Sequence, residues 1–289
     1  MIKLIALDMD GTILLSDHKT IHPENIRAIR EAQAAGIQVF ISTGRLPEDV
    51  SDFLHRAGLS CAMVCCNGAC AYSGPLPEGK PLAQHVFSAD LANHVIDIML
   101  PYHIMINAFE PGQVSTVARS ESHHYHLLER GLIREERGEA ALRASARKGI
   151  LKFYTMESPD TASAFSPLME ALRQDLARNC HGIQITRSSP GIVEVMPEQV
   201  GKGLTLIQIA ADLGITPAEI MAVGDEENDL DMLERTGFPV AMANSSPKVL
   251  RACPLITLDN DSAGAAEAIR YAMGKQGTFC RKNDAHPEA

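Results

Sequence analysis

Four short polar segments hold the side chains that could carry out chemistry in this 289-residue chain, and each directly follows an apolar run. The segments are Asp8–Thr12, Ser42–Arg45, Asn67–Gly68 and Gly224–Asp229. Short apolar runs that end in such residues are typical of buried parallel strands. Ligands of parallel sheets gather beyond the carboxyl ends of the strands. We therefore predict that the four segments meet at one edge of a sheet.

The first and last of these segments are rich in carboxylates, which repel one another when they are held close together. A hard divalent cation that prefers oxygen ligands removes this repulsion, and Mg²⁺ is the obvious candidate. With the cation bound, an aspartate beside the backbone amides of a glycine-containing loop can approach a phosphoryl group. The pattern therefore favours phosphoryl transfer with Mg²⁺ as the cofactor.

Alternating strands and helices must position these segments, and such alternation is typical of a parallel sheet. Buried strands are predicted at 2–8, 37–42, 62–66, 220–225, 238–242 and 255–258. The spacing of apolar residues and the positions of proline predict helices at 23–35, 47–57, 203–213, 227–235, 246–252 and 263–273. The predicted fold class is α/β, with a doubly wound, Rossmann-like parallel sheet.

The stretch between residues 85 and 190 interrupts this alternation. Helix-like and strand-like runs are mixed there and just after it, at 89–100, 103–109, 150–156, 161–177, 182–186 and 191–196. We predict an inserted α+β domain over residues 85–190, and a core domain formed by residues 1–84 and 191–275. The polar residues 276–289 are predicted to form a flexible tail.

Charge and composition exclude several classes of protein. Lys and Arg total 26 against 36 for Asp and Glu, and the resulting net charge of -10 disfavours nucleic acid as a partner. No stretch approaches the ~20 apolar residues of a membrane span, and acids stand where a signal peptide carries its apolar run. Seven cysteines, an odd number, indicate reduced thiols. We therefore expect a soluble cytoplasmic protein.

Two clusters of ligand-type side chains raise the alternative of a zinc site. They are Cys61, Cys65, Cys66 and Cys70, and His123, His124 and His126. Cys65 and Cys66 adjoin on a predicted strand, where successive side chains face opposite ways, and free cysteine is often buried. Core packing is therefore the better account of the cysteines. The histidines are expected on a polar helix face, where some could border a substrate cavity.

Four motifs, in order, resemble those of the haloacid dehalogenase superfamily. They are DMDGT at 8–12, STGR at 42–45, Lys202, and GDEEND at 224–229. The insert after the second motif, NGA at 67–69 and the EVMPEQVGKG stretch around Lys202 resemble its Cof-type branch of sugar-phosphate phosphatases. This resemblance implies a Rossmann-like core and an inserted α+β cap domain that selects the substrate and closes over the site.

The resemblance also implies a role for each matched residue. Asp8 would attack phosphorus to form an aspartyl phosphate, Asp10 would protonate the leaving group and then activate water, and Lys202 would offset negative charge. The implied catalytic residues are Asp8, Asp10, Thr43 and Lys202; the phosphate-binding residues are Met9, Thr43, Gly44, Lys202 and Asn228; and the metal-binding residues are Asp8, Asp10, Asp225 and Asp229. Asp10 would use its backbone carbonyl for the metal, and Asp229 would orient a metal-bound water or Lys202.

These inferences together predict a Mg²⁺-dependent phosphatase that acts on small phosphorylated metabolites, with sugar phosphates as the first candidates. A phosphotransferase or mutase is an alternative, because it shares the aspartyl-phosphate step. A sensor that binds a phosphorylated ligand without turnover is another, although such a protein needs neither Asp8 nor Asp10. Dehalogenation is a third alternative reaction, but that chemistry requires neither Asp10 nor magnesium. We expect a monomer or a weak homodimer, with no nucleic-acid or membrane partner.

Overall fold

The computed structural model of the protein describes residues 1–117, 125–158, 165–187, 191–275 and 280–281. The strands are β1 (Leu4–Leu7), β2 (Gln38–Ser42), β3 (Ala62–Cys65), β4 (Cys70–Tyr72), β5 (Pro81–Gln84), β6 (Met105–Glu110), β7 (Gln113–Val117), β8 (Arg134–Arg137), β9 (Lys152–Met156), β10 (Ile183–Thr186), β11 (Ile192–Pro197), β12 (Ile220–Gly224), β13 (Phe238–Ala241), β14 (Leu255–Ile256) and β15 (Cys280–Arg281). The helices are α1 (Pro23–Ala34), α2 (Pro47–Ala57), α3 (Ala89–Met99), α4 (Tyr125–Glu129), α5 (Glu139–Lys148), α6 (Pro167–Asn179), α7 (Lys202–Asp212), α8 (Leu230–Arg235), α9 (Pro247–Ala252) and α10 (Gly264–Ala272).

Contacts between residues divide the chain into two compact units. The discontinuous unit contains Met1–Ala83 and Gly201–Ala289, and the inserted unit contains Gln84–Val200. The first boundary lies within one residue of the predicted one. The second lies ten residues after the predicted residue 190, because β11 pairs with β9 and β10 in the sheet of the inserted unit. The predicted assignment of residues 191–200 to the core domain is therefore corrected.

A nine-stranded sheet with the order β15-β14-β13-β12-β1-β2-β3-β4-β5 forms the centre of the discontinuous unit. Its strands from β14 to β3 run parallel, whereas β4 is antiparallel to β3 and β15 is antiparallel to β14. The six parallel strands are those that the sequence pattern predicts, and the α/β fold class is confirmed. The short strands β4, β5 and β15 were not predicted.

The central strand β1 is completely buried, as its continuous apolar sequence requires in a sheet covered on both faces. One face of the sheet packs on α7 and α8 through a cluster that includes Phe40 and Leu206. The register places Leu7 between Ile41 of β2 and Val223 of β12. The residues that follow these three strands are therefore neighbours at one edge of the sheet.

The inserted unit contains a six-stranded sheet with the order β10-β11-β9-β6-β7-β8. Its pairs are antiparallel except for β7 and β8, which run parallel. Helices α3, α5 and α6 pack on the sheet through a core that includes Val95, Leu142, Leu172 and Phe153. The unit has the α+β architecture that the sequence predicts, although β7, β8 and α5 were not predicted.

The four clustered cysteines are buried free thiols, in agreement with core packing. Cys66 lies just after β3 with a φ of 52°, so the alternation of side chains along a strand does not extend to it. Several other predictions concern residues outside the described ranges: His123, His124, the predicted helix start at 161–164, and the tail apart from β15. None of the helices in the described ranges has the length and apolar character of a membrane span.

Candidate active site

The residues that follow β12, β1 and β2 lie together at one edge of the sheet. Asp8 follows β1, and its N–H donates to the carbonyl of Val223 at 3.0 Å. Thr43 follows β2, and its N–H donates to the carbonyl of Val64 at 2.8 Å. These hydrogen bonds extend the parallel ladder one residue beyond the strands. The structure thus brings together Asp8, Thr43 and Asp225, the residue that follows β12.

Lys202 supplies a buried positive charge to this edge. It is the first residue of α7, it is 1% exposed, and its Nζ donates to Asp8 Oδ1 at 2.6 Å and to Asp229 Oδ1 at 2.7 Å. Burial lowers the pKa of Lys202, but the charges of Asp229 and Asp8 raise it above its ordinary value. The ammonium group therefore stays charged beside Asp8, where it can stabilise an approaching phosphoryl group.

Both carboxylate oxygens of Asp229 are engaged. Oδ1 accepts the hydrogen bond from Lys202, and Oδ2 accepts the N–H groups of Asp225 at 2.9 Å and Glu226 at 3.1 Å. The side chain is completely buried. Asp229 thus joins Lys202 to the loop after β12, which corresponds to the orienting role implied by the sequence resemblance.

Asp8, Asp225 and Asp229 form a buried acidic cluster, in which one oxygen of each lies within 4.8 Å of the others. Burial and the charge of Asp229 raise the pKa of Asp8 to about 7, although Lys202 opposes the shift. Burial and the charge of Asp8 raise the pKa of Asp225 well above its usual range. One lysine does not balance three carboxylates. Because both oxygens of Asp229 are already hydrogen-bonded, the donors in this cluster that fit a hard divalent cation such as Mg²⁺ are the carboxylates of Asp8 and Asp225.

Mg²⁺ is expected to raise the Tm of the metal-free protein more at about pH 7.5 than at about pH 5.5. The pKa of Asp8 is raised from 3.8 to about 7, so the folded protein binds more protons than the unfolded chain between these values. Without metal, the free energy of unfolding therefore rises as the pH falls through this window. At the lower pH, protons compete with the cation for Asp8. Thermal unfolding with and without Mg²⁺ measures the effect, and Asp225→Asn should weaken the shift. An equal shift at both pH values would contradict the expectation.

Asp10 is held by Arg45 and His18 rather than in the acidic cluster. Arg45 donates from Nε to Asp10 Oδ2 and from Nη2 to Oδ1, each at 2.6 Å, and His18 Nδ1 lies 3.1 Å from Oδ1. Burial raises the pKa of Asp10, but the hydrogen bonds from Arg45 and His18 outweigh it and lower the pKa. Asp10 is therefore ionised in this arrangement, with both of its carboxylate oxygens held by hydrogen bonds.

The sequence motifs predict no role for Arg45 or His18. Arg45 is anchored on its other side by Asp49, whose Oδ2 accepts from Nη1 at 2.7 Å, and its side chain is 13% exposed. The signal for Arg45 was its place at the end of the second motif. His18 reaches Asp10 because the chain folds back after a wide turn over Met9–Ile13, and the sequence offered no signal for this contact.

The loops after β2, β3 and β12 are linked by Asn67, which the sequence pattern places at this edge but to which it gives no role. Its N–H donates to the carbonyl of Thr43 at 3.0 Å, and its Oδ1 accepts from Asn228 Nδ2 at 3.2 Å. A side chain at Gly44 would place its Cβ 3.0 Å from the same Oδ1. Thr43 Oγ1 accepts the N–H of Arg45 at 3.2 Å. The structure therefore places Thr43, Gly44 and Asn228 around one asparagine.

Gly11→Ala is expected to disturb the acidic cluster, whereas Gly36→Ala is not. Both glycines have positive φ, 72° and 83°, so both variants carry the backbone strain of about 1 kcal/mol. A Cβ at Gly11 would lie 2.2 Å from Asp225 Oδ2, whereas a Cβ at Gly36 meets nothing within 4 Å. Only Gly11→Ala should weaken the Mg²⁺-induced rise in Tm. The idea fails if the two variants respond alike to Mg²⁺.

Comparison with known proteins identifies the family. Residues 5–269 match the family model of haloacid dehalogenase-like hydrolases. A 5-amino-6-(5-phospho-D-ribitylamino)uracil phosphatase of Bacillus subtilis is 29% identical, over 93% of this chain and 95% of that protein. A haloacid dehalogenase-like hydrolase from B. subtilis has the same fold, with a TM-score of 0.77 and 24% identity over 93% of this chain and 99% of that chain. A subclass IIB sugar phosphatase also shares it, with a TM-score of 0.76 and 19% identity over 93% and 98% of the two chains. The chain therefore belongs to the haloacid dehalogenase-like hydrolases.

Proposed function

We propose that this protein is a Mg²⁺-dependent phosphatase of small phosphorylated metabolites that acts through an aspartyl phosphate on Asp8. The observation that carries the proposal is the contact of Lys202 with both Asp8 and Asp229 at the edge of the sheet. It supports the proposal because a buried cation next to a carboxylate lets that carboxylate approach a negatively charged phosphoryl group.

In the first step an oxygen of Asp8 attacks phosphorus, and the bond from phosphorus to the leaving oxygen breaks. Lys202 offsets the negative charge, and Thr43, Gly44 and Asn228 hold the phosphoryl oxygens. Bound Mg²⁺ would be held by the carboxylates of Asp8 and Asp225 and by the backbone carbonyl of Asp10, and its charge would offset that of the phosphoryl group. In the second step water attacks phosphorus, the bond to Asp8 breaks, and phosphate is released.

Asp10 moves the protons of both steps. Its protonated form gives a proton to the leaving oxygen, and its ionised form then takes one from the attacking water. The hydrogen bonds from Arg45 and His18 support the ionised form. To act as the acid, Asp10 must therefore give up these contacts when the substrate binds.

Asp10→Asn is expected to slow the hydrolysis of alkyl phosphates by roughly 10²- to 10⁴-fold, and that of para-nitrophenyl phosphate far less. An alkoxide needs a proton to leave, whereas para-nitrophenolate leaves without one. Steady-state kcat/KM for the two classes of substrate measures the difference. Equal losses for both classes would count against Asp10 as the acid.

Phosphate esters of sugars and of sugar-derived chains are the substrate class that we propose, with the inserted unit selecting among them. The name of the B. subtilis relative, a phosphatase of a phosphoribityl compound, supports this class. The decisive experiment follows phosphate release, with Mg²⁺, from a panel of sugar and polyol phosphates. The absence of release from every member and from para-nitrophenyl phosphate would refute the proposal. Transfer of the phosphoryl group to added sugar in preference to water would make the protein a phosphotransferase.

A further inference from the structure

Two aspartates at the start of α8 hold Lys202 and the turn that follows it. Asp229 accepts the hydrogen bond of the lysine Nζ at 2.7 Å. Two positions later, on α8, Asp231 Oδ2 accepts the backbone N–H of Gly203 at 2.8 Å and that of Leu204 at 3.1 Å. These amides belong to the first turn of α7, which begins at Lys202 and lacks intrahelical acceptors for its N–H groups.

The backbone of the first turn of α7 lies so close to α8 that no side chain fits between them. A Cβ added at Gly201 would lie 2.3 Å from Asp231 Oδ2, and one added at Gly203 would lie 2.2 Å from the carbonyl oxygen of Asp231. On another side of the turn, Thr205 Oγ1 donates to the carbonyl of Gly68 at 2.8 Å. Contacts with α8 and with the turn at Gly68 therefore determine where the backbone of Lys202 lies.

The carboxylate of Asp231 is itself oriented by Arg235, one helical turn later, whose Nε pairs with Oδ1. This leaves Oδ2 directed at the two amides of α7. The arrangement matters because the side chain of Lys202 is buried among packed neighbours and has little room for other rotamers, so a shift of its backbone is carried to Nζ. Asp229 fixes the charged end of Lys202, and Asp231 fixes the backbone from which the side chain extends.

We propose that Asp231 is a positioning residue that sets the place of Lys202 by accepting the amides of the first turn of α7. This inference rests on the proposed function, in which Lys202 stabilises the phosphoryl group. Nothing in the sequence motif requires this role, because Asp231 follows GDEEND and lies within the helix predicted at 227–235. Its effect on the reaction is indirect, since its side chain contacts α7 and Arg235.

The test compares Asp231→Ala, which removes the acceptor, with Asp231→Asn, which keeps a carbonyl oxygen for the amides. Asp231→Ala should lower kcat/KM for para-nitrophenyl phosphate by roughly 10- to 100-fold, because small errors of position in a charged site have effects of this size. It should also weaken competitive inhibition by inorganic phosphate. Asp231→Asn should stay within about threefold of the wild type for both quantities, since its carbonyl oxygen still accepts the two amides of α7 although the pairing with Arg235 is lost.

Glu219→Ala is the matched control. Glu219 accepts the N–H of Thr216 at 3.0 Å at the start of a single helical turn, but it lies at the opposite end of β12 from the site. It should lower the Tm without changing kcat/KM or phosphate inhibition. The inference is overturned if Asp231→Ala changes kcat/KM no more than Glu219→Ala does, or if Asp231→Asn loses as much as Asp231→Ala.

Crystal structures of the wild type and of Asp231→Ala decide the geometric part without any substrate. The contact of 2.6 Å between Lys202 Nζ and Asp8 Oδ1 should lengthen in the variant or be lost. An unchanged lysine would overturn the inference whatever the kinetics. If instead the lysine moves while the wild type releases no phosphate from any substrate, the proposed function fails and the positioning role of Asp231 stands.

Discussion

Asp8→Asn is expected to lower kcat for phosphomonoester hydrolysis by at least about 10⁴-fold, the scale of losing a nucleophile, while the metal-free protein becomes more stable. The amide cannot form the acyl phosphate, which removes the chemical step. The stability should rise because burial and Asp229 raise the pKa of Asp8 to about 7, so the carboxylate is disfavoured in the folded state at neutral pH. A neutral amide of the same shape relieves that penalty and still accepts the hydrogen bond from Lys202.

Steady-state kinetics with Mg²⁺, and Tm values measured in EDTA at about pH 7.5, give the two readouts. Asp212→Asn is the control, because Asp212 is the exposed last residue of α7. It should change neither quantity. Turnover by Asp8→Asn within about tenfold of the wild type would reject the covalent mechanism. A lower Tm would contradict the account of the buried carboxyl groups.

The strands of the discontinuous unit could be predicted because their signal is local. The runs that form β1, β2 and β12 are apolar at nearly every position, and each ends at a polar residue that marks the edge of the sheet. Parallel strands present their carboxyl ends at the same edge, so the nearness of Asp8, Thr43 and Asp225 follows from the fold class alone.

The contacts of Asp10 could not be predicted in the same way. They depend on an arginine 35 residues later and on a histidine brought close by a local turn. Neither apolar spacing nor turn chemistry specifies such pairings.

The second boundary of the inserted unit was predicted too early for a related reason. The short, mostly apolar run of β11 fits a strand of either sheet, and only its pairing with β9 and β10 assigns it to the inserted unit.

Lys202→Met is expected to lower kcat/KM by at least about 10³-fold and to destabilise the metal-free protein by roughly 3 to 5 kcal/mol at about pH 7.5. Methionine retains the length of the side chain but removes the charge that Asp8 and Asp229 face at 2.6 and 2.7 Å. The loss of activity follows because no fixed cation then offsets the phosphoryl group. The loss of stability follows because buried carboxylates remain without their partner. Chemical denaturation and steady-state kinetics measure the two effects.

The pH dependence distinguishes this electrostatic cause from a simple packing defect. Without Lys202 the pKa of Asp8 should rise further, because the lysine is what lowers it in the wild type. Over this range the folded variant then binds more protons than the folded wild type, so its deficit in the free energy of unfolding relative to the wild type should shrink as the pH falls from about 7.5 to 5.5. Lys248→Met is the matched control, since Lys248 pairs with Glu227 at 2.9 Å but is 57% exposed, and its loss should change stability by less than about 1 kcal/mol. A deficit of Lys202→Met that stays constant across this pH range would show that the lysine acts through its packing, and the charge balance assigned to Asp8, Asp229 and Lys202 would be wrong.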